Sequence, residues 1–312
     1  MANILLSQSS ICRNMWSALA QNIVSGDPRT LARAISLVEN EAEGYEDFLR
    51  GLNVNHAVPI TGITGPPGAG KSTLTDGIIR ALLERGLRVG VLCVDPSSPF
   101  NSGALLGDRI RMREWYNHPD VFIRSLAARG ALGGLHPMVF ELADIMRSAG
   151  LDHILIETVG VGQSEVEIAS LADTTVVVLV PEAGDDIQAM KSGLMEVADL
   201  FVVNKCDRPG ADVFVHNLRQ MLRARPQVKV VQTIASEKEG IDTLTSLLLD
   251  HKTGVDMDQR YRLLAARLYQ QISKQRMKDI TVPELIEAIR KAYTASFNLY
   301  SFSATYLAEK QL

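Results

Sequence analysis

The sequence predicts a doubly wound, mostly parallel α/β sheet with helical extensions at both ends, and three observations lead there. From about residue 58 onward, short β-rich runs alternate with helix-like segments. Several of those runs are continuously apolar, as strands covered on both faces require. The first opens into a glycine-rich loop and then a helical pattern, "GITGPPGAGKSTL" over residues 62–74, the strand–loop–helix order of phosphate-gripping α/β proteins.

Taken in order, residues 1–54 read as a helical extension. Asp27 and Pro28 suit the cap and first position of one long helix. In it Leu31, Ile35, Val38, Ala42, Tyr45, Leu49 and Leu52 recur at alternating spacings of four and three. Such a stripe needs a partner. An earlier helix around residues 11–24 supplies one within the chain; an intermolecular coiled coil is the alternative, disfavoured by the short run and by Gly44.

Seven strands follow, over residues 58–64, 88–95, 121–126, 153–158, 174–180, 200–205 and 228–234, and form the core of a domain at 55–252. Residues 253–312 carry a second stripe, Met257, Tyr261, Leu264, Leu268 and Ile272, then a helix start at Pro283. They hold no catalytic signature and read as scaffold or oligomerisation surface.

With 312 residues the chain has ample length for a real core, and 46% hydrophobic and 22% charged residues suit a globular protein. A net charge of −4 offers no general attraction to nucleic acid or to an anionic membrane. Cys12, Cys93 and Cys206 are widely spaced, without a CxxC pair or a Cys/His cluster, against both a disulfide framework and a structural zinc site. No segment approaches the ~18 apolar residues of a membrane span, and the start lacks a signal-peptide pattern, so the expected location is the cytoplasm.

Gly65, Gly70, Lys71 and Ser72 fit G-x-x-x-x-G-K-[ST], with Pro66, Pro67, Gly68 and Ala69 between them and Thr73 after. The glycines let backbone N–H groups turn toward phosphate oxygens, and the following helix presents its positive end. Lys71 neutralises the β and γ phosphates; Ser72 can coordinate magnesium. The base is read elsewhere. Asn204, Lys205 and Asp207 end a buried strand as N-K-x-D, the pattern of GTP-binding proteins. A carboxylate there accepts from guanine N1–H and the exocyclic amine, a donor pair that adenine lacks, so the nucleotide is GTP or GDP.

Between the two lies "HILIETVGVGQSE", residues 153–165. Its apolar strand ends in Glu157, suited to the magnesium shell, and Gly160 lets the backbone approach a γ-phosphate; the plainer alternative is an acid capping the next turn. The strand over 88–95 delivers Asp95 to its carboxyl end, and a long polar loop holding Asp108 follows, read as a segment ordered by GTP and magnesium. "PEAGDDIQAMKSG", residues 181–193, leads into a helix and holds Gln188 and Lys191.

These motifs in this order resemble the methylmalonyl-CoA mutase-associated GTPases, the MeaB family with its ArgK-like members. That family lies within the class related to signal-recognition-particle and metallochaperone P-loop GTPases. The carrying strings are "GITGPPGAGKST", "VDPSS", "GALLGDRIRM", "RGALGG", "ILIETVGVGQSE", "GDDIQAMKSG" and "VVNKCD", spanning about residues 58–245. The resemblance implies magnesium ringed by Ser72, Asp95, Asp108 and Glu157. It implies two switches at 96–108 and 158–168 and a third, partner-facing one at 181–193. It adds Ala235 and Ser236 as the second base-reading element. It further implies a coenzyme-B12-dependent acyl-CoA mutase as partner, its cobalamin adenosyltransferase as a further one, and a homodimer joined outside the nucleotide core. The third switch departs from the family in having Glu182 where a small residue is usual.

The expected reaction is slow GTP hydrolysis by in-line attack of water, with Lys71 and loop amides stabilising the γ-phosphate. Docking of the partner would complete the site with Lys191 or Gln188; Gln163 is an alternative water-positioning group. Two other classes stand beside this reading. A protein kinase linked to amino-acid transport, using GTP or ATP, would leave label on a protein acceptor. A metal-insertion GTPase would show Cys or His ligand clusters, which the six scattered histidines do not supply.

Overall fold

The structure, a computed structural model, describes residues 14–95, 112–127, 136–158, 168–182, 194–250, 257–294 and 296–310. Contacts divide the chain into two units, Met1–Gly254 and Val255–Leu312. In the first, strands β1 (Ile60–Thr64), β2 (Val89–Asp95), β3 (Val121–Ala127), β4 (His153–Glu157), β5 (Thr174–Leu179), β6 (Leu200–Val203) and β7 (Lys229–Gln232) form one sheet. The order is β3-β2-β4-β1-β5-β6-β7 and every pairing is parallel. All seven expected strands are present, with ends shifted by at most about two residues. β1, β4, β5 and β6 are buried along their whole length, which is why they read as largely apolar runs.

Among the described residues, the α-helices of this unit are α1 (residues 14–23), α2 (Pro28–Glu39), α3 (Tyr45–Arg50), α4 (Lys71–Leu83), α5 (Val139–Arg147), α6 (Leu194–Val197), α7 (Ala211–Met221) and α8 (Ile241–Asp250). Alternate residues of each strand go to opposite faces. On one face Leu92, Val94, Ile154 and Ile156 share a core with Trp16, Ile23, Leu31, Ile35 and Val38 of α1 and α2 and with Leu142 and Met146 of α5. Further along that face, Val177, Leu179, Phe201 and Val203 pack with Phe214 and Leu218 of α7. On the other, Val91, Leu155, Val176 and Val202 meet Leu74, Ile78 and Leu82 of α4 and Leu244 and Leu248 of α8. The N-terminal stripe thus finds its partner inside the chain, in α1 and the sheet.

One expectation is corrected. The single long helix from Pro28 is two helices, broken after Glu39. The Asn40 amide turns back to donate to Ser36 O at 2.7 Å, and Glu41 takes a left-handed φ of +49°. Trp16 Nε1 then donates to Glu43 O at 2.8 Å, and its ring lies 4.7 Å from that of Phe48. A tryptophan from α1 satisfies the backbone that the break exposes, which intrahelical spacing could not reveal.

The starts of the strands are tied by buried polar groups. Arg147 pairs with Asp173, whose Oδ2 also accepts from Ile60 N at 2.9 Å, and Arg147 Nε donates to Val58 O at 3.1 Å. His153 Nε2 and Thr61 Oγ1 are 2.9 Å apart. Burial lowers the His153 pKa to about 4, against the opposing pull of the Asp173 charge. The unfolded ring keeps its ordinary value near 6.5, so the unfolded state binds the extra proton between these limits. Stability held by neutral His153 is therefore complete above that window and lost as pH falls through it. Between pH 6.5 and 5.5 the loss should be about 1 kcal/mol, read by urea denaturation. His153→Gln should show a correspondingly shallower dependence; equal slopes would discard the assignment.

The second unit contains α9 (Met257–Arg276), α10 (Val282–Ala292) and α11 (Leu299–Glu309). Thr281 caps α10 reciprocally with Glu284, and Pro283 occupies the first turn. No residue of α10 or α11 is buried. In α9 the stripe residues Tyr261, Leu264, Leu268 and Ile272 are exposed. Among the described residues, no helix is long and apolar enough to cross a membrane.

Candidate nucleotide site

The carboxyl ends of β1, β4, β5 and β6 converge on the loop 65–70, where α/β sheets take their ligands. The loop exists because of its glycines. At Gly65, φ is +134° and a Cβ would lie 2.1 Å from Val178 O; at Gly70, which caps α4, φ is +89° and a Cβ would lie 2.4 Å from Asn204 Nδ2. Pro67 and Gly68 are exposed at the loop's tip and Thr73 is exposed on the first turn of α4, while Ala69 is buried between them. Lys71 is buried, and its ammonium donates to Gly65 O at 2.8 Å and Pro66 O at 3.0 Å.

Ser72 and Glu157 meet on the face of the sheet that α4 covers. Ser72 Oγ donates to Glu157 Oε1 at 2.7 Å, and Thr75 Oγ1 lies 3.0 Å from Oε2. Thr75 sits three residues after Ser72 on the same face of α4, a spacing that could have marked it in the sequence but did not. Thr158 Oγ1 bonds Thr64 Oγ1 at 2.9 Å, joining the ends of β4 and β1. Asp95 closes β2, the neighbour of β4, so its backbone lies at the same end of the sheet.

The end of β6, with its N-K-x-D run, is bound directly to the loop 65–70. Asn204 is buried; its Nδ2 donates to Ala69 O at 2.9 Å, and its Oδ1 accepts from Thr233 Oγ1 at 3.1 Å and Ala235 N at 3.0 Å. Lys205, with φ +60°, donates from Nζ to Gly68 O at 2.7 Å. Asp207 and Ser236 are exposed beside this frame. Thr233 is a strut that sequence reasoning passed over, since nothing local distinguishes it.

Glu182, the departure at the root of the third switch, pairs with Arg208, the residue after Asp207. The Arg208 hydrogen bond holds its carboxyl below the ordinary glutamate range. Cys206 lies between Lys205 and Asp207, and partial burial raises its thiol pKa, as for an inert thiol. Asp108, Gly160, Gln163, Gln188 and Lys191 lie outside the described residues, as does most of each proposed switch. Among the described residues that follow, Met112 is fully buried, and Trp115 Nε1 donates to Asp76 Oδ1 of α4 at 2.6 Å.

In chemical terms, a loop of turned amides at a helix N-terminus with a buried lysine can hold a polyphosphate. The Ser72–Glu157 pair offers oxygen donors alone, at a spacing one hard cation can share, and so fits magnesium.

The family model described as methylmalonyl-CoA mutase-associated GTPase MeaB matches residues 31–294. A Pyrococcus abyssi protein carrying a GTPase name is 45% identical over 259 residues, 80% of this chain and 79% of that one. The GTPase ArgK of Escherichia coli is 38% identical over 246 residues, 74% of each chain. The crystal structure of a LAO/AO transport system kinase superposes with a TM-score of 0.68 at 26% identity, covering 96% of this chain and 98% of that one. With a P-loop and an N-K-x-D element joined in one frame, and relatives named as GTPases, the chain belongs to the MeaB family and is a GTP-binding, GTP-hydrolysing protein.

Proposed function

We propose that this GTPase is a switch that serves a coenzyme-B12-dependent acyl-CoA mutase of the methylmalonyl-CoA type, gating its cofactor loading and protecting it. The observation that carries the reading is the match to the mutase-associated family over residues 31–294, which runs through the nucleotide core and into the second unit. A cobalamin adenosyltransferase is the further partner that such gating involves, and the cytoplasm is the place for it.

In this reading Gly65 to Thr73 cradle the phosphates, Asp207 reads guanine, and Ala235 and Ser236 complete the base pocket. Ser72 and Glu157, joined by Asp95 and Asp108, would hold magnesium, which would supply neutralisation of the phosphate charge. Lys71 stabilises the γ-phosphate while water attacks in line. Lys191 or Gln188 completes the site when the mutase docks, with Gln163 as the alternative. Residues 253–312 join two copies into a homodimer, a role supported by the exposed Tyr261, Leu264, Leu268 and Ile272. The frame formed by Asn204 and Lys205 supports transmission of nucleotide state, because it ties the base-reading strand to Ala69 and Gly68 of the phosphate loop.

The test is GTP turnover by the purified chain alone and with a panel of B12-dependent acyl-CoA mutases. One mutase should raise the rate, and Lys191→Ala should abolish that rise. Turnover indifferent to every mutase would discard the partner and leave the GTPase. The similarity to a transport system kinase favours a second reading, phosphotransfer to a protein. γ-Labelled GTP separates the two, since only phosphotransfer leaves label on protein.

A further inference from the structure

Thr75 is wholly buried on α4, and its hydroxyl has two acceptors within reach, Lys71 O at 2.9 Å and Glu157 Oε2 at 3.0 Å. One proton cannot serve both fully. Donation to an ionised carboxylate is the stronger bond, so the hydroxyl is drawn to Glu157. The other carboxylate oxygen accepts from Ser72 Oγ at 2.7 Å. A glutamate has three side-chain torsions to fix, and these two hydroxyls clamp its two oxygens from one helix face.

We propose that Thr75 is a positioning residue for Glu157: its hydroxyl fixes Oε2, so that Oε1 stays at Ser72 in the orientation a shared divalent cation needs. The inference rests on the magnesium reading given above. A ligating Ser72 gives the cation an oxygen lone pair and keeps its proton, so its bond to Oε1 and the Thr75 bond to Oε2 are both compatible with the bound cation.

Thr75→Val removes the hydroxyl with little change of volume, and Thr75→Ser keeps it. The readout is the magnesium concentration that half-slows release of a fluorescent GDP analogue from the full-length protein, with magnesium-dependent GTP turnover in parallel. Thr75→Val should raise that concentration about tenfold. Thr75→Ser should stay near wild type, and affinity for the analogue in EDTA should be equal in all three. Melting curves establish that each variant is folded, and Thr75→Ala gives the same comparison if the valine is not accommodated. Equal shifts in the valine and serine variants, or no shift in either, overturn the proposal. Glu157→Gln separates the two levels. If it leaves the magnesium requirement unchanged, the magnesium reading fails and the inference with it. If it shifts the requirement while Thr75→Val does not, only the positioning role fails.

Discussion

Replacing Lys71 with methionine should lower kcat for GTP hydrolysis by about 10²–10³-fold at saturating nucleotide. Methionine keeps the unbranched length of the side chain and removes its charge, so the comparison isolates the ammonium. That ammonium is buried at the start of α4 and donates to the carbonyls of Gly65 and Pro66. The loop carbonyls therefore hold the cation where the phosphates are expected, and little reorganisation is needed when charge builds on the γ-phosphate. The variant should also bind GTP more weakly, though by less, because charge accumulates further in the transition state. Single-turnover hydrolysis separates the two effects. An unchanged kcat with a raised KM would make Lys71 a binding residue alone, and melting curves would show whether the loop survives loss of the two carbonyl bonds.

The second large effect concerns the base. Asp207→Asn should weaken GTP binding by roughly 10²–10⁴-fold and leave ATP binding unchanged. Two hydrogen bonds to a carboxylate are worth about 1.5–3 kcal/mol each, or about 3–6 kcal/mol together, and every 1.4 kcal/mol is about tenfold. Asp207 suits this test because it is exposed, whereas Asn204 is buried and joins Ala69, Thr233 and Ala235 by three hydrogen bonds. Substituting Asn204 would disturb the phosphate loop along with the base pocket. Competition binding against a fluorescent GDP analogue gives both affinities. Equal weakening of GTP and ATP would falsify the base-reading role and point to a general defect of the site.

Much of this protein is written locally. Strands β1, β4, β5 and β6 were legible because a strand buried on both faces is largely apolar along its length. The phosphate loop was legible because only glycine accepts the backbone of Gly65 and Gly70 without collision. The helix break after Glu39 was not, because the apolar spacing runs on through it while the compensating bond comes from Trp16. Nor was the pairing of Glu182 with Arg208, since two exposed ionisable residues far apart in sequence carry no shared pattern.

The sequence by itself determined the fold class and carried the G-x-x-x-x-G-K-S and N-K-x-D motifs, because each rests on obligatory residue types at short spacings. Only the tertiary structure decided how these parts are joined. The strand order puts β1 between β4 and β5, and this brings Ser72 and Thr75 onto Glu157, over eighty residues away in the chain. It likewise sets Asn204 against Ala69 and Lys205 against Gly68. Such contacts depend on register and helix packing summed over the whole sheet, so no short stretch of sequence contains them.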